Sequence, residues 1–239
     1  MLFRSNQRYI EPILRAHVER QNLIKTIYRH QVVSFSATDQ AVHVELLDLD
    51  QPSRPIHTLQ ARYLVGCDGG RSTVRKGMGA KLVGDEVVQR VQSTCIRAPE
   101  LIGLMQEPPA WSMFTVNPRR SGNIYAIDGQ EIWLIHNYLR AHELDFDSVD
   151  RDWAIRAILG VGADFKYDIL SNEDWIGRRL VSDQLQQGRV FLAGDAAHLW
   201  VPYAGYGMNA GLADAANLAR VRDKVTALCR RLPVYGVRA

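Results

Sequence analysis

Tyr9, Ile10, Ile13, Leu14 and Val18 recur at the three- and four-residue intervals of one helix face, which predicts a helix over residues 7 to 21 with one buried stripe. The period then changes to two. "VVSFSA" (32–37) and "VHVELLDL" (42–49) alternate apolar and polar positions around the turn Thr38-Asp39-Gln40, the pattern of an antiparallel hairpin. The turn "DQPSRP" leads into "RYLVGCDGG" (62–70), read as an apolar strand that ends in glycines.

Between residues 80 and 180 aromatic and β-branched runs dominate: "WSMFTV", "NIYAI" and "EIWLIHNYL", with Asp128-Gly129 as a hairpin turn. The one clear helix there is "DRDWAIRAILG" (150–160), with Asp150 as N-cap and Gly160 as stop. "QGRVFLAGD" (187–195) returns to the buried-strand pattern, and a glycine-rich turn precedes a helix expected from Met208 onward. Val221, Val225 and Leu228 keep helical spacing, so that helix is expected to persist, while the tail beyond Pro233 has no anchoring pattern.

The residues from Ala196 to Ala213 carry no Asp, Glu, Lys or Arg, nearly the length of a membrane span of about twenty residues. Pro202, Gly205, Gly207 and Gly211 break that run, which suits a turn that launches a helix better than a span. Composition is that of a soluble globular chain: 239 residues, 46% hydrophobic, 23% charged, net charge +3. Its basic residues form short pairs rather than a stripe, so nucleic acid is not indicated. Three dispersed cysteines, Cys67, Cys95 and Cys229, suggest neither a zinc site nor a disulfide framework and fit a reducing cytosol. The first residues lack the continuous apolar core of a secretory signal.

Candidate chemistry sits in two glycine-containing segments. In "VFLAGD" an apolar strand runs into Gly194 and Asp195, placing a carboxylate where open α/β sheets bind ligands. Asp195 there either accepts hydrogen bonds from ligand hydroxyls or caps the following turn. Pro202, Gly205 and Gly207 then bring backbone close to any ligand, and the free amides of the next helix favour an electron-rich group.

"YLVGCDGGRSTVR" (63–75) and "GRVFLAGDAAHLWVPYAGYGMNAGLADAANLA" (188–219) together resemble the two internal FAD signatures of the FAD-dependent aromatic-ring monooxygenases, whose fold is named for p-hydroxybenzoate hydroxylase. The aromatic middle is most similar to the phenol and chlorophenol hydroxylase branch, and the likeness covers about residues 5 to 219. It implies a mixed α/β fold: an incomplete FAD-binding Rossmann-like domain (1–79 and 181–239) with an inserted β-sheet substrate domain (80–180). It implies that Asp195 meets the ribityl chain or nearby diphosphate, that the turn through Gly207, Met208 and Asn209 lies against the isoalloxazine ring, and that Gly194 and Gly205 also belong to the cofactor site. Pro202 would flank its oxygen side, and Asp68, Gly69, Arg71 and Ser72 would serve both FAD and the nicotinamide donor. The implied reaction is hydroxylation of a small aromatic substrate with NADH or NADPH and O2. No catalytic base is named.

Other residues have plainer readings. His198 packs or bonds locally; His136 faces either substrate, solvent or core; Tyr203 and Tyr206 line or fill the site. Arg178-Arg179 either meet phosphate or are solvated, and Cys67 is read as a small buried strand residue. A metal-dependent hydrolase would need an Asp-x-His cluster, which the sequence lacks.

The family's Gly-x-Gly-x-x-Gly unit is absent, Ala204 replaces a glycine common in relatives, and "RVRDKVTALCRRLPVYGVRA" departs from their continuation. The expectation is a chain truncated at both ends, with an exposed sheet edge and a separately encoded N-terminal segment as partner. The alternative is a non-catalytic remnant or binding module of the same fold.

Overall fold

The computed structural model describes residues 7–105, 107–108, 110–202 and 205–231, with the side chains of 221–231 left aside. Tyr203, Ala204 and the tail beyond Pro233 lie outside the described residues. In chain order the elements begin α1 (Gln7–Glu19), β1 (His30–Ala37), β2 (Val42–Asp48), β3 (His57–Ala61), β4 (Leu64–Gly66), α2 (Thr73–Gly77) and β5 (Leu82–Arg97). They continue β6 (Ser112–Thr115), β7 (Gly122–Ala126), β8 (Ile132–Tyr138), α3 (Arg151–Leu159), β9 (Asp168–Asn172) and β10 (Trp175–Ser182). Last come β11 (Gln186–Gln187), β12 (Val190–Leu192), β13 (His198–Leu199) and α4 (Gly207–Arg231). The chain divides into two compact units, one of residues 1–27 and 87–177, the other of 28–86 and 178–239.

The first unit is built on an antiparallel sheet in which β6, β7, β8 and β5 follow in order and β9 also pairs with β5. Period two sorts β8: Trp133, Ile135 and Asn137 are buried on one face, and the intervening residues are half-buried on the other. Trp133 and Ile135 pack with Ile96, Ile124 and the α3 residues Ile155 and Ile158, each contributing about 2 kcal/mol on leaving water. The α3 helix has the ends its sequence dictates. The Asp150 carboxylate accepts from the Trp153 amide at 2.7 Å, and Gly160 closes it with φ +72°. Asp128 organises the β7–β8 turn by accepting from the amides of Gln130, Glu131 and Ile132.

One polar network is sealed into this unit. Arg120, 2% exposed, forms a two-pronged ion pair with Glu143 at 2.7 and 2.8 Å and donates through Nε to Asn137. Asn137 donates to Gln92, which in turn donates to the carbonyls of Phe146 and Val149. With every partner satisfied, burial of the guanidinium is tolerated. The Arg120 hydrogen bonds hold the Glu143 carboxyl down to about 2.

The second unit contains the antiparallel sheet β1-β2-β3 and the sheet β11-β12-β4. The expected hairpin forms, with Thr38 Oγ1 and the Ala41 carbonyl closing its turn. β12 and β4 run parallel, Val190 beside Leu64 and Leu192 beside Gly66. Val42, Val44, Leu46, Val74, Val190 and Leu192 form the core, with Phe35 packed on it. Among the described residues β4 is the outer strand of its sheet, and Tyr63 and Val65 are exposed.

Two expectations are corrected. α1 forms, but its apolar stripe is not buried: no residue of it is, and Ile13 is 66% exposed. An amphipathic pattern sets the helix, whereas burial needs a neighbour the described residues do not supply. Cys67 is neither in a strand nor buried, because β4 stops at Gly66 and the chain turns outward into the loop before α2.

Candidate functional site

The second unit brings the two glycine segments together. Gly66 ends β4 and Leu192 ends the parallel neighbour β12; the Ala193 amide donates to the Gly66 carbonyl at 3.0 Å. A Cβ on Gly66 would sit 2.7 Å from Val74 Cβ, so glycine is required where α2 crosses the strand. A Cβ on Gly70 would lie 3.0 Å from Cδ2 of Leu199 in β13, a side-chain tip that could give way.

Asp68 points its carboxylate inward along its own loop. Oδ2 accepts from the Thr73 and Val74 amides at 2.7 and 3.1 Å, and Oδ1 accepts from Ser72 Oγ at 2.5 Å. Ser72 is buried and its Oγ accepts from the Arg75 amide, so Asp68 and Ser72 jointly cap α2. Gly69 takes φ +78° to make that turn. Arg71 is exposed and has no hydrogen bond among the described residues.

Arg75 is the link that local sequence reasoning missed. Only 5% exposed, it donates through Nη1 to the Ala196 carbonyl at 2.9 Å and through Nη2 to the Gly70 carbonyl at 2.7 Å. One guanidinium therefore ties the loop of the first segment to the turn of the second, 121 residues away. Nothing but its place on the inner face of α2, beside buried Val74, signals this role in the sequence.

At the end of β12 the chain makes a tight turn over Gly194, Asp195 and Ala196, with Gly194 at φ +59°. Asp195 does not cap it: the carboxylate is exposed and accepts no hydrogen bond among the described residues. Asp214 of α4 does the fastening, accepting from the Gly194 amide at 2.9 Å and meeting His198 Nε2 at 2.7 Å. His198 is thus locally bonded. Its Nδ1 is buried and has no partner among the described residues.

Gly194 and Gly211 let turn and helix touch, since a Cβ on Gly211 would lie 3.4 Å from the Gly194 Cα. α4 begins at Gly207, one residue earlier than the sequence predicts, with Met208 and Asn209 exposed and no acidic residue in its first turn. Pro202 accepts from the Gly205 amide at 3.2 Å, and Gly205 has φ +71°. Tyr206 is exposed.

A free carboxylate, glycines at close approach and a helix start without acidic side chains suit a polyhydroxylated ligand carrying negative charge. The ribityl chain and ring of a flavin fit that description. Arg178 and Arg179 stand apart from this cluster: both are exposed, and Arg179 pairs with Asp85. Among the described residues no group of three potential metal ligands occurs, and no helix is long and apolar enough to cross a membrane.

The family model described as "FAD binding domain" matches residues 3–224, and the chain belongs to that family. It is 30% identical over 222 residues to 4-methyl-5-nitrocatechol 5-monooxygenase of a Burkholderia species, covering 89% of this chain and 40% of that protein. It is 30% identical over 208 residues to 3-hydroxybenzoate 4-monooxygenase of Comamonas testosteroni, covering 78% and 32%. Among solved structures, the rebeccamycin biosynthetic enzyme RebC with reduced flavin superposes with a TM-score of 0.73 at 30% identity, over 89% of this chain and 39% of that one. The mixed α/β architecture is that of the FAD-binding hydroxylases. The chain spans less than half the length of these relatives.

Proposed function

We propose that the unit of residues 28–86 and 178–239 holds the flavin end of FAD, and that the chain serves a monooxygenase acting on a phenolic or related aromatic compound. The balanced reaction inserts one oxygen atom of O2 into a ring C–H bond and reduces the other to water, with NADH or NADPH supplying two electrons. Bound FAD supplies two-electron transfer and activation of O2, chemistry that side chains do not offer. Relatives acting on a nitrocatechol and a hydroxybenzoate support the substrate class.

The observation that carries this reading is Asp195, an exposed carboxylate with no hydrogen-bond partner among the described residues, just beyond the end of a parallel strand. It accepts hydrogen bonds from ribityl hydroxyls. Gly207, Met208 and Asn209, at the positive end of α4, would hold the electron-rich edge of the ring, and Pro202 and Gly205 shape the turn beside them. Gly194 allows the turn that presents Asp195. Asp68, Gly69 and Ser72 act by building the loop, and exposed Arg71 is the group left to meet a phosphate of FAD or of the nicotinamide donor. The adenosine end is assigned to residues outside this sequence, joined to it or separately encoded. The β-sheet unit holds the aromatic substrate and keeps water from it. The proposed setting is the cytosol, where free Cys67 and Cys95 stay reduced.

Riboflavin, which carries ring and ribityl chain but no adenosine, tests the assignment. Titrated into the purified chain, it should lose fluorescence on binding, and Asp195→Ala should weaken that binding about tenfold, the worth of one charge-assisted hydrogen bond. Unquenched riboflavin, or equal affinity in Asp195→Ala, would overturn the reading.

A further inference from the structure

In the β-sheet unit, the face of β7 and β8 turned away from α3 carries a cluster that packing alone does not explain. The ladder sets His136 opposite Asn123 on one side and Ser93 on the other, so the three share a row. Around the His136 ring stand Tyr125, Trp175 and Tyr138, with centroids 4.9, 5.6 and 6.3 Å away and all edge-on. Trp111 extends the group by an edge contact with Tyr125 at 5.6 Å. These are ordinary aromatic packing distances. What is unusual is the polar balance.

Asn123, 2% exposed, donates through Nδ2 to the Tyr125 hydroxyl at 3.1 Å, which occupies a lone pair of that oxygen and leaves its proton to donate elsewhere. The His136 ring nitrogens have no hydrogen bond among the described residues. They are not sealed either, because the one fully buried side-chain atom without a partner among those residues is His198 Nδ1. A largely covered imidazole whose nitrogens have no protein partner among the described residues and are not shut away is open to water or to a ligand. The cluster thus presents the Tyr125 hydroxyl proton and the His136 imidazole near each other within a wall of rings.

We infer that His136 and the Tyr125 hydroxyl form the recognition point for the hydroxyl group of a phenolic ligand, whose ring packs among Trp111, Tyr138 and Trp175. This rests on the aromatic-substrate reading above and names the residues that select for a phenol over a ring lacking the hydroxyl. Burial lowers His136 to about 4, so the imidazole is neutral near pH 7. A phenol titrates near 10, so transfer of its proton to His136 is disfavoured by about six orders of magnitude. His136 therefore accepts a hydrogen bond from the phenol and Tyr125 donates one to it. The pair positions the ring and does not ionise it.

The test uses the full chain labelled with 15N-histidine, with phenol as probe and anisole, which cannot donate, as control. Phenol should move the His136 ring-nitrogen resonances and anisole should not. His136→Phe, which keeps the ring packing, should weaken phenol about tenfold and leave anisole within about twofold, and His136→Asn should recover part of the loss. Phenol binding without a shift at His136, or with full affinity in His136→Phe, would overturn the inference and leave the aromatic-substrate reading standing. Absence of any phenol binding would overturn both, while riboflavin titration of the same sample reports separately on the flavin site. The resonance measurement needs only the natural sequence, so an unstable variant does not blunt it.

Discussion

The Asp214 carboxylate stands 2.7 Å from Nε2 of His198, and the same oxygen accepts the Gly194 amide at 2.9 Å. One acceptor on α4 thereby fixes both the turn that presents Asp195 and the short strand that follows it. With Nε2 protonated, His198 donates to Asp214, an assignment made by the carboxylate partner. Asp214→Leu leaves the Gly194 amide and both His198 nitrogens without partners, at a cost of about 1–3 kcal/mol. Asp214→Asn keeps an acceptor and should lose less. Urea midpoints of the two variants check the order, and riboflavin affinity should fall with the same ranking if the turn presents Asp195 to the ribityl chain as proposed.

Arg75 makes a second prediction because its two acceptors belong to different segments. Arg75→Lys keeps the charge but cannot reach the carbonyls of both Gly70 and Ala196 with one ammonium on a flexible stem. It should destabilise by about 1–3 kcal/mol, and Arg75→Met, which abandons both carbonyls, by at least as much. Chemical denaturation measures the loss. Equal stability of Arg75→Lys and the natural chain would show that bridging the two loops is not what the residue contributes.

These two residues mark the boundary of what the sequence makes legible. Local rules place the Thr38–Ala41 turn, the Asp150 and Gly160 ends of α3, the Asp128 turn and the start of α4 within a residue, because caps and turns are decided by side chains a few positions away. β5, β9 and β10 are not visible in the same way. β5 runs sixteen residues through "GDEVVQR" with no clean alternation, and its faces are set by strands distant in sequence. The glycine segments are legible as the candidate ligand site proposed above. That Arg75 fastens one to the other and Asp214 fastens the turn to α4 depends on pairings 121 and 20 residues apart, which no local pattern encodes. The stripe on α1 and the run through Cys67 fail for a related reason: periodicity predicts which face is apolar and says nothing of what covers it.

Gly84 offers a prediction independent of the candidate site. It lies in β5 at φ +137°, and a Cβ there would fall 2.2 Å from the Arg179 backbone carbonyl oxygen. Backbone cannot swing aside as a side-chain tip can, so β5 must part from the neighbouring strand at that point. Gly84→Ala should cost more than about 2 kcal/mol, combining an unfavourable backbone angle with the lost approach. Gly129, also at positive φ but with open space around it, should lose only about 1 kcal/mol on the same change. Thermal midpoints of the pair separate collision from backbone strain.

The Arg120–Glu143 pair should make stability depend on acid in a defined window. Glu143 titrates near 2 in the folded chain, held there first by the Arg120 hydrogen bonds, against an ordinary value of 4.5. A carboxyl whose folded value is depressed binds fewer protons in the folded state than in the unfolded one, so stability falls with pH where the two states differ. The contribution is fully present above about 4.5 and is lost as pH falls toward 2, with an upper bound of about 3 kcal/mol from the size of that displacement. Glu143→Gln removes this part of the acid dependence while leaving the buried guanidinium without its charge partner, so it should also lower stability at pH 7. Urea denaturation at pH 7 and pH 3 distinguishes the effects: the natural chain should lose more stability between those values than Glu143→Gln does, and equal losses would assign the acid sensitivity to other carboxylates.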